Sequence, residues 1–167
     1  MVLEIAEFLR TLCNNSLESL KMPIKILLAD DHQILREGLR KMIEKEQNME
    51  VVGEAEDGRS TVKMAKKLVP DVVVMDITMP DLNGMDATRK IISEVPGVKV
   101  LALSMHQDVK YISGMLEAGA MGYILKGCKF EELVTAIRSV ANRNVYLSPK
   151  IADMVVKGYL GKGPKKF

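Results

Sequence analysis

Aromatic residues and cysteine are scarce in this sequence, and each shortage excludes a class of function. Only 4% of the 167 residues are aromatic and none is tryptophan, so the chain has few of the rings on which single-stranded nucleic acids stack. The two cysteines, Cys13 and Cys128, have no CxxC or Cys/His spacing around them. We therefore expect neither a zinc site nor a disulfide framework, and we expect a cytoplasmic protein.

Long apolar segments and a strong net charge are also absent. No apolar run approaches the roughly 18 residues that a membrane-spanning helix needs, so no membrane partner is expected. The 24 Lys and Arg residues nearly balance the 22 Asp and Glu residues, and a formal net charge of +2 does not by itself indicate a nucleic-acid partner. The 47% hydrophobic and 28% charged content is that of an ordinary globular protein, and the length predicts one domain with short appendages.

Short apolar runs alternate with longer amphipathic segments from Ile24 onwards, which is the pattern of βα units around a parallel sheet. The runs are rich in Val, Ile and Leu and lack clean alternation, which is typical of strands buried on both faces. The segments between them repeat apolar residues every three or four positions, as amphipathic helices do. The pattern predicts strands at 24–29, 50–55, 72–77, 98–104 and 122–125, and helices at 34–46, 60–69, 85–94, 109–117 and 130–142.

Two appendages flank the main domain, which we assign to residues 23–145. Residues 1–22 carry apolar residues in a loosely helical pattern, so this N-terminal extension is either an amphipathic helix or a leader outside the working domain. In residues 146–167 we expect a linker helix at about 148–160, because Ser148-Pro149 is typical of an N-cap followed by a first helical position. A flexible tail would follow, either leading to a further domain or having no role. The apolar stripe of this helix would consist of Ile151, Met154, Val155 and Tyr159.

Polar residues follow four of the predicted strands. Asp30 and Asp31 follow the first strand, Asp76 lies at the end of the third, Ser104 ends the fourth and Lys126 follows the fifth. In an open parallel sheet, ligands bind outside the carboxyl ends of the strands, so these side chains should converge there. A single Asp at such a place is often only a turn or helix cap, but that explanation is poor for all five residues together.

Three carboxylates in one place repel each other, and a bound divalent cation would relieve the repulsion. Mg²⁺ suits an all-oxygen site of this kind, with Mn²⁺ as a substitute. Asp76, beside a metal and an ammonium group, has the chemistry of a nucleophile for phosphoryl transfer. Ser104 and Lys126 would then bind oxygens of the phosphoryl group.

The motifs ILLADDH, VVVMDITMPDLNGMDA, LALSMH and GYILKG occur in this order, and through them residues 24 to about 142 resemble a response-regulator receiver domain. The resemblance implies a flavodoxin-like (βα)5 fold, a doubly wound parallel sheet with strand order 2-1-3-4-5. It implies that Asp76 is the phosphoacceptor, that Lys126 and Ser104 assist it, and that Ser104 and Tyr123 form the switch. On phosphorylation, Ser104 would be drawn inward and Tyr123 would fill the space that it leaves.

The resemblance also implies the metal ligands and the partners. Mg²⁺ would be bound by Asp31, Asp76 and the backbone carbonyl of Thr78, with Asp30 acting through water. A sensor histidine kinase would donate the phosphoryl group, and phosphorylation would promote a homodimer, either through the surface of the fourth helix, fifth strand and fifth helix or through the first and fifth helices. Beyond self-phosphorylation from a phosphodonor and slow autodephosphorylation, no enzyme activity is implied.

The residues in these motifs are most similar to those in receivers of LuxR/NarL-type transcriptional regulators. This implies control of transcription through a DNA-binding output domain that we do not find in the sequence of this chain. The alternative is a single-domain receiver that acts by protein docking or phosphorelay. Two positions depart from the usual family pattern: Gly127 stands where many receivers have Pro, so the cis peptide usual there is not implied, and Thr78, a position that can tune dephosphorylation, is often Asn.

Other folds and roles explain the residues less well. A haloacid dehalogenase would have a second Asp where Thr78 stands, and a flavodoxin would have a phosphate loop rich in Ser, Thr and Gly where Asp30 and Asp31 stand. A dinucleotide-binding dehydrogenase would need GxGxxG, which is missing. We interpret His32 and His106 as neighbours of the site without a direct role.

Overall fold

The computed structural model describes residues 5–7 and 22–161. Within these residues, one parallel sheet is flanked by helices on both faces. The strands are β1 (Ile24–Ala29), β2 (Met49–Ala55), β3 (Val72–Met75), β4 (Lys99–Ser104), β5 (Gly122–Leu125) and β6 (Tyr146–Leu147), and the helices are α1 (Gln33–Ile43), α2 (Gly58–Leu68), α3 (Gly84–Glu94), α4 (Val109–Glu117), α5 (Phe130–Ala141) and α6 (Pro149–Gly161).

The strand order is β2-β1-β3-β4-β5-β6, and every neighbouring pair is parallel. The predicted doubly wound, flavodoxin-like order 2-1-3-4-5 is therefore confirmed, with one strand added at its edge. The sequence analysis missed β6 because a strand of two residues is too short to show a period. Its backbone is nevertheless paired, since the Tyr146 N–H donates to the Met121 carbonyl at 3.0 Å.

The central strands alternate their side chains between two separate cores, one on each face of the sheet. Leu27 and Val73 point toward α2, α3 and α4, where they pack with Ile91 and Ile112. Their neighbours along the strands, such as Leu28, point to the other face, where α1 and α5 cover them. Because both faces are buried, the strands have the continuous apolar sequences from which they were predicted.

Side-chain caps explain where α2 and α3 begin. Asp57 accepts a hydrogen bond from the Ser60 N–H at the start of α2, and Asn83 accepts one from the Asp86 N–H at the start of α3. Gly97 has the positive φ of +87° expected of a glycine in a turn. The five predicted helices thus lie within three residues of the observed bounds.

The sixth helix follows β6 directly and packs against α4. Ile151 is fully buried in the core, and Met154 and Val155 pack against the same cluster. The prediction that Tyr159 completes this stripe is wrong, because its side chain is 79% exposed. Ser148 precedes the first helical residue as predicted, but among the described residues its hydroxyl has no hydrogen-bond partner, so it does not cap the helix with its side chain.

Most of the N-terminal extension and the tail lie outside the described residues, so the expectations for 1–4, 8–21 and 162–167 are not addressed. Residues 5–7 form part of a helix and are exposed. None of the helices in the described parts of the chain is long and apolar enough to cross a membrane.

Candidate functional site

The ends of β1, β3 and β5 bring three charged side chains into direct contact. Asp30 and Asp76 are each only 4% exposed, although carboxylates rarely lie inside a protein. The Lys126 ammonium lies 2.6 Å from Asp30 Oδ2 and 3.2 Å from Asp76 Oδ2, so one buried cation serves both carboxylates. The convergence that the parallel sheet predicts is present here.

The acidic pair after β1 widens this cluster. Oxygens of Asp30, Asp31 and Asp76 and a ring nitrogen of His32 all lie within 4.8 Å of one another. The three carboxylates are hard oxygen ligands, the donors that Mg²⁺ prefers, and the exposed Asp31 leaves one side open to water. The residues of the cluster therefore fit the magnesium ion that the sequence predicts.

Burial raises the pKa of the Asp76 carboxyl above its usual range, and the nearby Asp30 carboxylate adds to the rise. The Lys126 ammonium and a hydrogen bond from the Thr78 backbone oppose it. The negative charge of Asp76 is thus stabilised mainly by Lys126, and an incoming cation would stabilise it further.

The backbone around Asp76 is fixed on both sides. Its N–H donates to the Ala29 carbonyl at 2.8 Å, and its Oδ1 accepts from the Ile77 N–H at 2.8 Å. A β-carbon at Gly84 would lie only 2.0 Å from the Asp76 carbonyl oxygen, so α3 can begin this close to the site only with a glycine at that position.

Ser104 and Tyr123 lie in a second group of hydrogen bonds that centres on His106. The Ser104 hydroxyl accepts from the His106 N–H at 3.1 Å, and the Tyr123 hydroxyl donates to the His106 carbonyl at 2.8 Å. The His106 ring hydrogen-bonds to the Thr78 hydroxyl at 2.7 Å and stacks on Tyr111 of α4, with ring centroids 4.1 Å apart. One loop residue therefore connects the ends of β3, β4 and β5 with α4.

The structure gives both histidines contacts that the sequence analysis did not expect. His32 Nδ1 lies 2.8 Å from Asp30 Oδ1 and 3.0 Å from Asp31 Oδ1, although His32 itself is mostly exposed. For His106, the only signal in the sequence was its place two residues after Ser104. Its four contacts depend on the packing of separate segments, which a local pattern does not show.

Arg36 of α1 was also missed. Its guanidinium donates to the Asp30 carbonyl at 2.5 Å, directly behind the acidic pair. A signal was present, because Arg36 shares its helix face with Leu39 and Ile43 at spacings of three and seven and is therefore a charged residue on an inward stripe. Met42, an apolar residue of the same helix, is by contrast 42% exposed.

Comparison with known proteins identifies relatives for most of the chain. The family model for the response regulator receiver domain matches residues 26–138. The chain is 43% identical over 136 residues to the transcriptional regulatory protein DegU of Brevibacillus brevis, covering 81% of this chain and 58% of that protein. It is 39% identical over 132 residues to the response regulator UvrY of Escherichia coli, covering 79% of this chain and 61% of that protein. The chain thus spans less than two thirds of the length of these relatives.

Solved structures that resemble this chain are also those of response regulators. A two-component response regulator of the LuxR family from Aurantimonas sp. SI85-9A1 has a TM-score of 0.79 at 36% identity, covering 83% of this chain and 99% of that one. The response regulator domain of Thermotoga maritima CheB has a TM-score of 0.67 at 32% identity, covering 72% of this chain and 97% of that one. The matched segment 26–138 includes every strand-end residue described above.

Proposed function

Because the chain belongs to the response regulator receiver domain family, we propose that it accepts a phosphoryl group on Asp76 from a sensor histidine kinase and changes its surface in response. The observation that supports this most directly is the buried Asp76 carboxylate beside the Lys126 ammonium, 3.2 Å away, at the edge where Asp30 and Asp31 also lie. The family transmits signals rather than turning over a metabolite, and self-phosphorylation from a small phosphodonor is part of the proposal.

In the proposed reaction, a carboxylate oxygen of Asp76 attacks the phosphorus of the donor phosphohistidine. The new O–P bond forms as the P–N bond breaks, and the imidazole leaves with the electron pair of that bond. Lys126 stabilises the negative charge of Asp76 before the transfer and is close enough to pair with a phosphoryl oxygen afterwards. The fixed backbone of Asp76 keeps the nucleophile in position throughout.

Asp31, Asp76 and the backbone carbonyl of Thr78 are the proposed ligands for Mg²⁺, with Asp30 acting through water and Mn²⁺ as a substitute. When bound, the cation supplies positive charge that offsets the carboxylates and the incoming phosphoryl oxygens. The chain's own contribution is the set of carboxylates within 4.8 Å of one another.

Ser104 and Tyr123 are the proposed switch residues, but with a different movement from the one expected from the sequence. Tyr123 is already fully buried in this structure, with its hydroxyl bonded to the His106 carbonyl, so the proposal does not depend on its inward movement. We propose instead that the Ser104 hydroxyl donates to a phosphoryl oxygen and, by turning toward it, changes the hydrogen bond that its oxygen accepts from the His106 N–H. The loop that contains His106 would then shift, and its contact with α4 through Tyr111 would change.

The segment after α5 is placed to carry this change further. Tyr123 of β5 is paired with Leu147 of β6, and α6 packs on α4 with Gly158 against Val109. Both ends of this segment thus contact elements that contain or border the proposed switch. We propose that α6 transmits the change to an output domain that binds DNA and controls transcription. The name of the DegU relative, a transcriptional regulatory protein, supports the control of transcription.

Phosphorylation is also proposed to favour a homodimer, and we propose α1 and α5 as its interface. A groove of about 180 Å³ lies between these helices, and Ile34 and Met42 of α1 are 88% and 42% exposed. Ile34→Glu should prevent a phosphorylation-dependent dimer in light scattering, whereas Val156→Glu on the exposed side of α6 should not. The reverse result would place the interface on the side of α6, which packs against α4.

The phosphoacceptor is tested by incubation with acetyl phosphate and Mg²⁺ followed by intact-mass measurement. We expect labelling of the wild type, none of Asp76→Asn and none after chelation of the metal. Asp71→Asn is the matched control, because Asp71 precedes the same strand at its opposite end and accepts a hydrogen bond from the Lys25 N–H. Full labelling of Asp76→Asn would show that another residue is the acceptor.

DNA binding is expected only through an output domain. A gel shift of the 167-residue chain should show at most weak, salt-sensitive binding without sequence preference. Sequence-specific binding at physiological salt would reveal a nucleic-acid-reading element in the receiver itself. The cytoplasmic location remains a prediction.

A further inference from the structure

Among the described residues, Arg36 is the one arginine whose side chain is almost completely buried. Removing a guanidinium from water costs several kcal/mol unless its hydrogen bonds and charge are well matched. Arg36 is not fully matched, because its Nε has no hydrogen-bond partner in the described part of the chain and lies 3.5 Å from Glu54 Oε2. Its short contact is the bond from Nη1 to the Asp30 carbonyl.

Arg36 is not the main ion-pair partner of Glu54 in β2. Arg40, one turn later on the same helix, binds Glu54 more closely, at 2.6 Å, and also pairs with Glu44. The contact that distinguishes Arg36 from Arg40 is the one with Asp30, and Arg36 also lines a small cavity together with the Asp30 and Asp76 side chains.

The bond from Arg36 holds one side of the peptide that joins Asp30 to Asp31. On the preceding side, the Asp30 N–H donates to the Ala55 carbonyl of β2 at 3.1 Å. The Asp30 side chain is held by Lys126 and by the His32 N–H. If the Arg36 side chain were removed, the Asp30 carbonyl would lose the guanidinium that donates a hydrogen bond to it and fixes its direction. Rotation of that peptide would move the exposed Asp31 more than the buried Asp30.

We propose that Arg36 is a positioning residue of the phosphorylation site, which sets the affinity for a divalent cation by fixing the turn that presents the carboxylates of Asp30 and Asp31. This inference depends on the proposed metal site. It does not require Arg36 to touch the cation or the phosphoryl group.

The loss of positive charge and the loss of positioning predict opposite changes in cation affinity for Arg36→Met. Electrostatics alone predicts tighter cation binding, because a positive charge is removed from the neighbourhood of three carboxylates. Loss of positioning predicts weaker binding, and loss of such a supporting contact typically lowers metal affinity by roughly tenfold or more. Arg40→Met is the matched control, because it removes the same charge from the same helix and the same Glu54 without touching Asp30.

The test is Mn²⁺ binding to the unphosphorylated full chain, measured by electron paramagnetic resonance, with circular dichroism of each variant. We expect the dissociation constant to rise roughly tenfold for Arg36→Met and to stay unchanged or fall for Arg40→Met. Arg36→Lys retains the charge but not the planar fork, so it should bind Mn²⁺ more weakly than the wild type and more tightly than Arg36→Met.

A folded Arg36→Met variant that binds Mn²⁺ as tightly as the wild type would overturn the inference. If Arg36→Met does not fold, Arg36→Lys decides, and wild-type affinity in that variant would overturn it equally. If the wild type itself binds no Mn²⁺, the proposed metal site fails instead, and this result is distinct from a loss limited to the Arg36 variants.

Discussion

Replacing Lys126 with Met separates the stability of the site from its chemistry. The Lys126 side chain is 8% exposed and contacts two carboxylates that are more deeply buried still. Methionine occupies a similar volume but leaves Asp30 and Asp76 without their shared cation. Removing one partner of a buried ion pair typically costs about 3–5 kcal/mol. We expect a fall of about 3 kcal/mol in the free energy of unfolding without metal, near the lower limit of that range because the site is open to water beside Asp31.

Mg²⁺ should restore stability to this variant more than to the wild type. Three carboxylates and one ammonium give the wild-type cluster a net charge of −2 if His32 is neutral, and the variant has −3. A divalent cation is therefore bound more tightly by the variant and stabilises it more. Labelling by acetyl phosphate should nevertheless stay slow, because the phosphoryl oxygens lose the ammonium that pairs with them.

The stability deficit should shrink as the pH falls. Burial raises the pKa of Asp76, and Lys126 opposes that rise, so the pKa is higher still in the variant. A carboxyl with a raised pKa destabilises the folded protein at pH values above that pKa. This cost disappears as the pH falls through the folded-state pKa toward the unfolded value of 3.8.

The assay is urea unfolding followed by circular dichroism, in EDTA and in saturating MgCl₂, at neutral and mildly acidic pH. Lys129→Met is the matched control, because Lys129 is an exposed neighbour on the same loop. A Lys126→Met variant as stable as the wild type in EDTA would refute the reasoning, as would equal stabilisation of both proteins by Mg²⁺.

Three further predictions concern the surrounding backbone and the switch. Gly84→Ala should lower the free energy of unfolding by about 2 kcal/mol or more and slow labelling. Gly38→Ala should raise the free energy of unfolding by about 0.5–1 kcal/mol, because a β-carbon there meets no atom within 4 Å. Equal effects of the two substitutions in urea unfolding would contradict this. Burial raises the pKa of Tyr123, so alkaline absorbance titration should show a late phenolate transition that Tyr123→Phe lacks. His106→Ala should speed amide hydrogen exchange in the loops after β3 and β4 relative to Gln107→Ala, and unchanged exchange would show that its bond to Thr78 does not restrain them.

Much of the fold and the core of the site could be predicted because both follow from local patterns. Buried parallel strands are continuous apolar runs, and their polar ends must meet at one edge, which is why Asp30, Asp76 and Lys126 could be grouped from the sequence alone. Arg36 and His106 were missed because their roles arise from contacts between segments. His106 bonds to a hydroxyl 28 residues away, and no periodicity records such a contact.

The short strand β6 has a consequence for how this domain resists aggregation. An uncovered edge strand offers free backbone groups to any other chain that can pair with it. Here Tyr146 and Leu147 occupy the outer side of β5, and the Ser148 N–H reaches toward the Tyr123 carbonyl at 3.4 Å. A truncation after residue 145, which keeps α5 whole and removes β6 and α6, would expose that edge next to the proposed switch. Such a fragment should self-associate through its backbone, and a domain boundary chosen beyond α6 should prevent this.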